Sequence, residues 1–156
     1  MITKSTVSWE TIESFDKLIA IQKEWEEFNL KYSTGTPLFP TTWFITWINV
    51  FWQKDWELKI LVGRVDGSIF TIVPMYIQNT NSFFSKKSLY PVGIGEPESQ
   101  EIFSEYIDII IAPSFEELVF RKVKQWILNL KVDDFFWRAN LNNSNVIKVF
   151  KLFNKN

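Results

Sequence analysis

The stretch that decides the fold is residues 57–77, ELKILVGRVDGSIFTIVPMYI. Apolar residues alternate with others up to Asp66-Gly67, and an apolar run broken only by Thr71 and Pro74 follows. Alternation on both sides of an Asp-Gly pair predicts a β-hairpin with a type I′ turn, because that turn needs positive φ at both central residues. Pro74 has no N–H to donate, so the second strand must lie at a sheet edge, or be bulged, at that point.

Two helices and a short strand precede this hairpin. Residues 6–12 alternate weakly and predict a first strand. Ser14 is the expected N-cap of a helix whose apolar stripe, at spacings of three and four, extends to Tyr32. Thr41 or Thr42 is the expected cap of a second helix, which is apolar around most of its circumference and should therefore be largely buried.

The remaining elements alternate strand and helix. Ser114 and Glu117 have the spacing of a capping box at the start of a third helix, and Ser144 can cap a last one. The predicted elements after the hairpin are strands at 88–92 and 105–112, a helix from 115 to 130, a strand at 135–139 and a helix from 146 to 153. The order β-α-α-β-β-β-β-α-β-α predicts an α/β (α+β) domain, with a mixed sheet and helices on both faces.

Composition excludes several classes of function. The 156 residues predict one domain, and the formal net charge of −1 without a basic block argues against nucleic-acid binding. The chain has no Cys and no His, which excludes thiol catalysis, zinc-thiolate sites and imidazole bases or ligands. No apolar run approaches a membrane span, and residues 1–6 lack a signal-peptide core, so a cytoplasmic protein is predicted.

Two features bear directly on chemistry. Gly93 and Gly95 resemble half of a phosphate-binding loop, but the acidic Glu96 and Glu98 follow them and would repel phosphate, so the motif is rejected. Asp108 interrupts an apolar strand. A carboxylate there is costly unless it is paired, bonds backbone amides at the strand's edge, or faces a cleft.

Short motifs distributed along the chain form one ordered set. They are Trp25-x-x-Phe28, Pro37-Leu38-Phe39, Trp43-x-x-x-Trp47, Ile72-Val73-Pro74-Met75, Tyr106-Ile107-Asp108 and Asn140-Leu141-Asn142-Asn143-Ser144. In this order and spacing they resemble the N-terminal half of the acyltransferase-like proteins of the GNAT superfamily that are related to the Fem peptidyltransferases. That group includes members linked to cellulose biosynthesis. The resemblance implies a GNAT-like, mostly antiparallel mixed sheet.

The resemblance also implies how such a protein is divided. Its relatives are typically built from two GNAT-like halves, and the C-terminal half usually holds the acyl-CoA pyrophosphate on a Gly-containing loop at a helix N-terminus. No Arg/Gln-x-x-Gly-x-Gly/Ala loop occurs in this chain. We therefore expect one GNAT-like domain at 1–142 and a terminal helix at 143–156 that leads into a missing C-terminal half, with acyl-CoA bound there and this chain inactive alone.

The family's chemistry implies roles for particular residues. A GNAT enzyme passes an acyl group directly from CoA to an amine, aided by a carboxylate or water and often by a Tyr, and it needs no metal. On the matching positions, Asp108 and Tyr106 are the predicted acid–base pair. Trp43, Trp47 and Tyr76 are the predicted acceptor pocket, on the strength of their aromaticity. The implied acceptor is an amine on a small molecule, peptide or sugar.

Two other interpretations of the same sequence remain open. Eight Trp and fifteen Phe residues are an unusually large aromatic content, which suits a non-catalytic GNAT-shaped module with an aromatic groove for a sugar or lipid-like ligand, possibly acting as a homodimer. The same rings suit a structural or interaction domain in which they only fill the core.

Overall fold

A computed structural model describes the chain at residues 5–32, 40–80, 85–102, 104, 107–138 and 141–154. Its elements follow the predicted order. They are β1 Val7–Ile12, α1 Phe15–Tyr32, α2 Thr41–Phe51, β2 Trp56–Val65, β3 Ser68–Thr80, β4 Lys86–Pro91, β5 Ile110–Ile111, α3 Glu116–Leu130, β6 Asp134–Phe135 and α4 Asn145–Phe153. The predicted fold class is therefore confirmed.

The predicted hairpin is present. β2 and β3 pair antiparallel from Trp56↔Gln78 to Val65↔Ser68. Asp66 (φ 48°) and Gly67 (φ 85°) both take positive φ, as a type I′ turn requires. The sheet order is β1-β2-β3-β4-β6, with β5 also beside β3, and among the described strand pairs only β4–β6 is parallel.

Helices cover both faces of this sheet. On one face, Trp47 of α2 packs against Tyr76 of β3, with ring centroids 5.4 Å apart. On the other face, the Trp126 indole of α3 donates to Thr11 Oγ1 at 3.1 Å, and Phe115 stacks on Phe70. The alternation of side chains along each strand thus separates the α2 layer from the α3 layer.

The last helix is part of the same packed unit. Val146 and Val149 of α4 are fully buried, and Phe150 stacks on Phe135 of β6 at 4.6 Å. Ser144 caps α4 as predicted, since its hydroxyl accepts from the Ile147 N–H. This packing holds α4 against α3 and β6.

Two predicted helix caps are wrong. Thr41 is the first residue of α2, and its N–H donates to Glu26 of α1 at 2.6 Å, so a carboxylate from another helix replaces the local cap. Ser114 takes φ 74° and makes no capping bond, and α3 begins with Phe115 at the N-cap. Ser14 does cap α1, because its hydroxyl accepts from the Lys17 N–H at 3.4 Å.

The strand predicted at 105–112 is much shorter. Within the described residues only Ile110 and Ile111 pair, with Ile72 and Thr71 of β3. β5 therefore lies beside β3 alone rather than at the centre of the sheet. The described residues 107–109 before it are not paired in the ladder, and Asp108 accepts hydrogen bonds from the first N–H groups of α4.

Candidate functional site

β3 pairs with β2 along one side, but on its other side the neighbouring strand is interrupted halfway along the sheet. β4 pairs with β3 as far as Met75↔Pro91, β5 resumes the pairing at Ile72, and the described residues between Pro91 and Ile110 form no strand pair with β3. The Pro74 carbonyl still accepts from the Val92 N–H at 2.9 Å. The N–H and C=O of one residue in an antiparallel strand point to the same neighbour, so the donor that Pro74 lacks would face this gap. β3 is thus an interior strand, and the proline sits where its partner breaks off.

The loop that fills the gap rests directly on β3 side chains. The Tyr76 hydroxyl donates to the Ile94 carbonyl at 2.8 Å, and Gln78 Nε2 donates to the Gly95 carbonyl at 2.6 Å. Gly95 takes φ 96°, and a Cβ added there would lie 2.5 Å from Tyr76 Oη. Because that space is already filled and the backbone is left-handed, only glycine fits at position 95.

A buried carboxylate lies at the end of this loop. Glu96 Oε2 accepts from the Trp47 indole N–H at 3.2 Å, and Oε1 accepts from the Ile102 N–H at 2.7 Å. The Glu96 side chain is 8% exposed. From the sequence, Glu96 serves only as an argument against a phosphate-binding loop at Gly93 and Gly95, and no site role for it is predicted. Its partners come from α2, 49 residues away, and from a later turn.

The three predicted acceptor residues converge on this loop. Trp47 and Tyr76 contact each other, Tyr76 bonds the loop at Ile94, and the Trp43 indole nitrogen lies 3.6 Å from a Cβ built on Gly93. Trp47 and Tyr76 are almost completely buried, whereas Trp43 is half-buried. Burial raises the pKa of Tyr76 far above its usual range, so its hydroxyl stays protonated at neutral pH.

Removing the indole donor from Glu96 should cost stability. We expect Trp47→Phe to lower the free energy of unfolding by about 2 kcal/mol, because a buried carboxylate then loses one of the two hydrogen-bond donors that the described residues supply, while the ring packing is largely kept. Chemical denaturation at neutral pH measures this. The matched control is Trp9→Phe, on the opposite face of the sheet, where a T-shaped contact with Phe70 is the ring packing at stake. Equal losses for both variants would mean that the Glu96 bond contributes nothing.

Asp108 is committed to the backbone of α4. Its Oδ1 accepts from the N–H groups of Ile109 (2.8 Å) and Val146 (2.9 Å), and its Oδ2 accepts from the Asn145 N–H at 2.8 Å. Burial raises the pKa of Asp108, although the three backbone N–H groups act in the opposite direction. This arrangement is a helix anchor, and the predicted acid–base role of Asp108 stays a prediction. Its predicted partner Tyr106 lies outside the described residues.

The N-terminus of α3 is unsuited to a phosphate group. Residues 112–117, Ala-Pro-Ser-Phe-Glu-Glu, contain no glycine. Pro113 has no N–H, and Glu116 and Glu117 place two carboxylates in the first helical turn. A pyrophosphate needs converging backbone N–H groups and repels carboxylates, so these residues do not form a site for the pyrophosphate of acyl-CoA.

Other sites are absent from the part of the chain that is described. Among those residues, no group of three or more Asp and Glu side chains is placed to hold a metal ion. None of the described helices combines the length and apolarity needed to cross a membrane.

Comparison with solved structures identifies the fold. A ribosomal-protein-alanine N-acetyltransferase from Brucella melitensis biovar Abortus 2308 superposes with a TM-score of 0.52 at 10% identity, over 95% of this chain and 90% of that one. An aminoglycoside N-acetyltransferase in complex with CoA gives 0.49 at 14%, over 99% and 88%. An aminoglycoside 6′-N-acetyltransferase from Acinetobacter haemolyticus gives 0.45 at 14%, over 94% and 88%.

Of these three superpositions, the first alone has a TM-score above 0.5, and the fold is assigned from it. It shows that the chain has the mixed, antiparallel-dominated fold of the GNAT acetyltransferases. No protein-family model and no curated protein matches the sequence.

Proposed function

We propose that this chain is the acceptor-side half of an N-acyltransferase, which binds an amine while another domain or chain holds acyl-CoA. The proposal is supported by the GNAT fold together with one feature, the N-terminus of α3. The turn at 112–117 contains no glycine, and its two carboxylates, on Glu116 and Glu117, would repel a pyrophosphate. An amine acceptor needs aromatic rings and polar groups instead, and the loop at 93–96 beside the break in the sheet has both around it.

The proposed acceptor site is the loop Gly93–Glu96 with the side chains around it. Trp43 is the half-buried ring beside Gly93 and would contact the acceptor. Trp47 and Tyr76 would act from behind, by fixing the loop and the Glu96 carboxylate. A carboxylate among aromatic rings attracts an ammonium group.

The two halves of the proposal need separate measurements. In calorimetric titration of the 156-residue chain with acetyl-CoA we expect no binding tighter than about 1 mM, since the N-terminus of α3 offers no anion cradle to offset the charge of the pyrophosphate. Micromolar binding would contradict the proposal that another domain or chain holds acyl-CoA, and it would indicate a complete enzyme. Mass spectrometry of the native protein then shows whether further chain is attached.

The acceptor half is tested with a panel of primary amines, including amino sugars and peptide N-termini. We expect one class to change the Trp fluorescence, and Trp43→Phe to weaken that binding, while Trp9→Phe on the other face leaves it unaltered. If no amine of the panel changes the Trp fluorescence of the wild-type chain, the acceptor role is refuted, whatever the result with acetyl-CoA.

A second candidate function is a non-catalytic binding module with an aromatic groove. The observation that favours it is a row of rings in which Trp52 and Trp56, both half-buried, continue the contact from Tyr76 towards the surface. Such rings offer contact area for a ligand without any acyl donor.

A further inference from the structure

A cavity of about 340 Å³ opens where β2 begins. It lies at the end of the sheet where α1 begins and α2 ends. The loop at 93–96 lies elsewhere, at the break between β4 and β5. Trp52 and Trp56 of the cavity wall both contact Tyr76, whose hydroxyl donates to that loop. The residues lining the cavity are Glu13, Phe15, Trp52, Trp56, Glu57, Leu58 and Lys59.

Three aromatic rings form the apolar walls of this cavity. Phe15 and Trp52 meet at 81° with centroids 5.0 Å apart, and Trp52 and Trp56 meet at 79° and 5.8 Å. Successive rings at nearly right angles form a concave corner. Phe15 is 42% exposed, so the corner is open to solvent. Ring faces carry negative charge density and attract cations, more strongly for Trp than for Phe.

The polar edge of the cavity carries an excess of negative charge. Lys59 Nζ lies 2.5 Å from Glu13 Oε1 and 3.3 Å from Glu57 Oε2. The Lys59 side chain is only 15% exposed, while those of Glu13 and Glu57 are 59% and 41% exposed. The ammonium is therefore enclosed and the carboxylates face solvent. One cation against two anions leaves the lining with a net charge of −1.

The charges of Glu57 and Lys59 are stabilised by the groups around them. A hydrogen bond from Asn79 Nδ2, at 3.1 Å, lowers the pKa of Glu57, with burial opposing and Lys59 and Lys87 assisting. Burial alone would lower the pKa of Lys59, but Glu13 and Glu57 outweigh it and the pKa is raised. The charges of Glu57 and Lys59 thus persist over the neutral pH range.

We infer that this cavity is a binding site for a compact organic ammonium ion, seated against the Trp52–Trp56 corner with Glu13 and Glu57 at its edge. The combination of perpendicular rings and exposed carboxylates matches a cation that also has apolar surface, such as an alkylated ammonium. A neutral sugar ring would use the same rings without needing the charge, and an anion would meet two carboxylates. The site extends the binding-module function and does not depend on acyl transfer.

The probe is choline, because its quaternary nitrogen has no N–H to acylate, so binding is tested apart from transfer. Each of the eight Trp residues gives one indole N–H signal in a ¹H–¹⁵N spectrum. We expect saturable shifts of the Trp52 and Trp56 signals with choline chloride, at ionic strength matched with NaCl. The neutral isostere 3,3-dimethylbutan-1-ol should bind at least about tenfold more weakly. Equal binding of the isostere, tighter binding of glucose, or no shift with choline would each overturn the inference.

Charge variants give a second, opposite pair of expectations. Glu57→Gln should weaken choline binding about fivefold to tenfold, and Lys59→Gln should strengthen it severalfold, because the net charge of the lining becomes 0 and −2 respectively. Glu13→Gln, at the most exposed carboxylate, repeats the test with little risk to folding. Glu10→Gln, a paired surface glutamate on β1 outside the lining, is the control and should leave affinity unchanged. Parallel effects of the Glu57 and Lys59 variants would contradict a charge-selective site.

Discussion

Asp108→Ala should lower the free energy of unfolding by about 3 kcal/mol, because one side chain accepts hydrogen bonds from three backbone N–H groups. Two of these donors, on Asn145 and Val146, belong to the first turn of α4, where no carbonyl within the helix can satisfy them. Loss of the anchor should free α4, whose Val146 is fully buried in the core. Chemical denaturation gives the stability, and amide hydrogen exchange in α4 shows which element is released.

The control is Asp133, an aspartate that accepts fewer backbone hydrogen bonds than Asp108. Asp133 Oδ2 accepts from a single N–H, that of Lys87, at an exposed position, so Asp133→Ala should cost less than about 1 kcal/mol. If both alanine variants were equally mild, the anchoring role of Asp108 would be refuted.

The conservative variant Asp108→Asn separates anchoring from catalysis. An amide keeps one acceptor oxygen, so we expect a loss of only about 1 kcal/mol. The raised pKa of Asp108 means that the folded protein binds this proton more tightly than the unfolded chain does. Its contribution to stability is therefore present below the ordinary value of 3.8 and is lost as pH rises through the raised value.

The stability advantage of the wild type over Asp108→Asn should accordingly shrink as the pH rises from about 3 to 7. A role as general base has a separate readout. Asp108→Asn would then abolish acyl transfer in the assembled enzyme with only a small loss of stability, and that outcome would support the acid–base role.

The sequence predicts the architecture well because the decisive signals are local. An Asp-Gly pair between alternating strands specifies the hairpin, and the apolar stripe before Tyr32 specifies a helix. The errors occur where a distant group intervenes. The first N–H of α2 is bound by Glu26 across a helix pair. A predicted capping box fails because Ser114 takes a left-handed conformation.

The candidate sites were only partly predictable for the same reason. Aromaticity alone singles out Trp43, Trp47 and Tyr76, and the fold brings them together. Glu96 and the lining of the 340 Å³ cavity depend on contacts between residues far apart in sequence. Lys59 and Glu13, for example, are 46 residues apart, and no periodicity within either segment encodes their contact.

The largest loss of stability is expected from Gly95→Ala, about 4 kcal/mol. At φ 96° an L side chain is strained, which costs about 1 to 2 kcal/mol. The added methyl group would also lie 2.5 Å from Tyr76 Oη and 2.8 Å from Gln78 Nε2. Tyr76 cannot retreat, because its ring is packed between Trp47 and Trp56 at centroid distances of 5.4 and 4.8 Å. Overpacking and lost hydrogen bonds therefore add about 2 to 3 kcal/mol.

Gly67→Ala separates the two causes. Gly67 has a similar φ of 85°, but nothing lies within 4 Å of its added Cβ, so only the backbone strain of about 1 kcal/mol should be felt. Denaturation midpoints of the two variants, measured together, give the cost of crowding as their difference. If Gly95→Ala is no worse than Gly67→Ala, the loop at 93–96 can move away from β3. The acceptor site proposed on that loop would then lack the rigid support from Tyr76 and Gln78 on which the proposal depends.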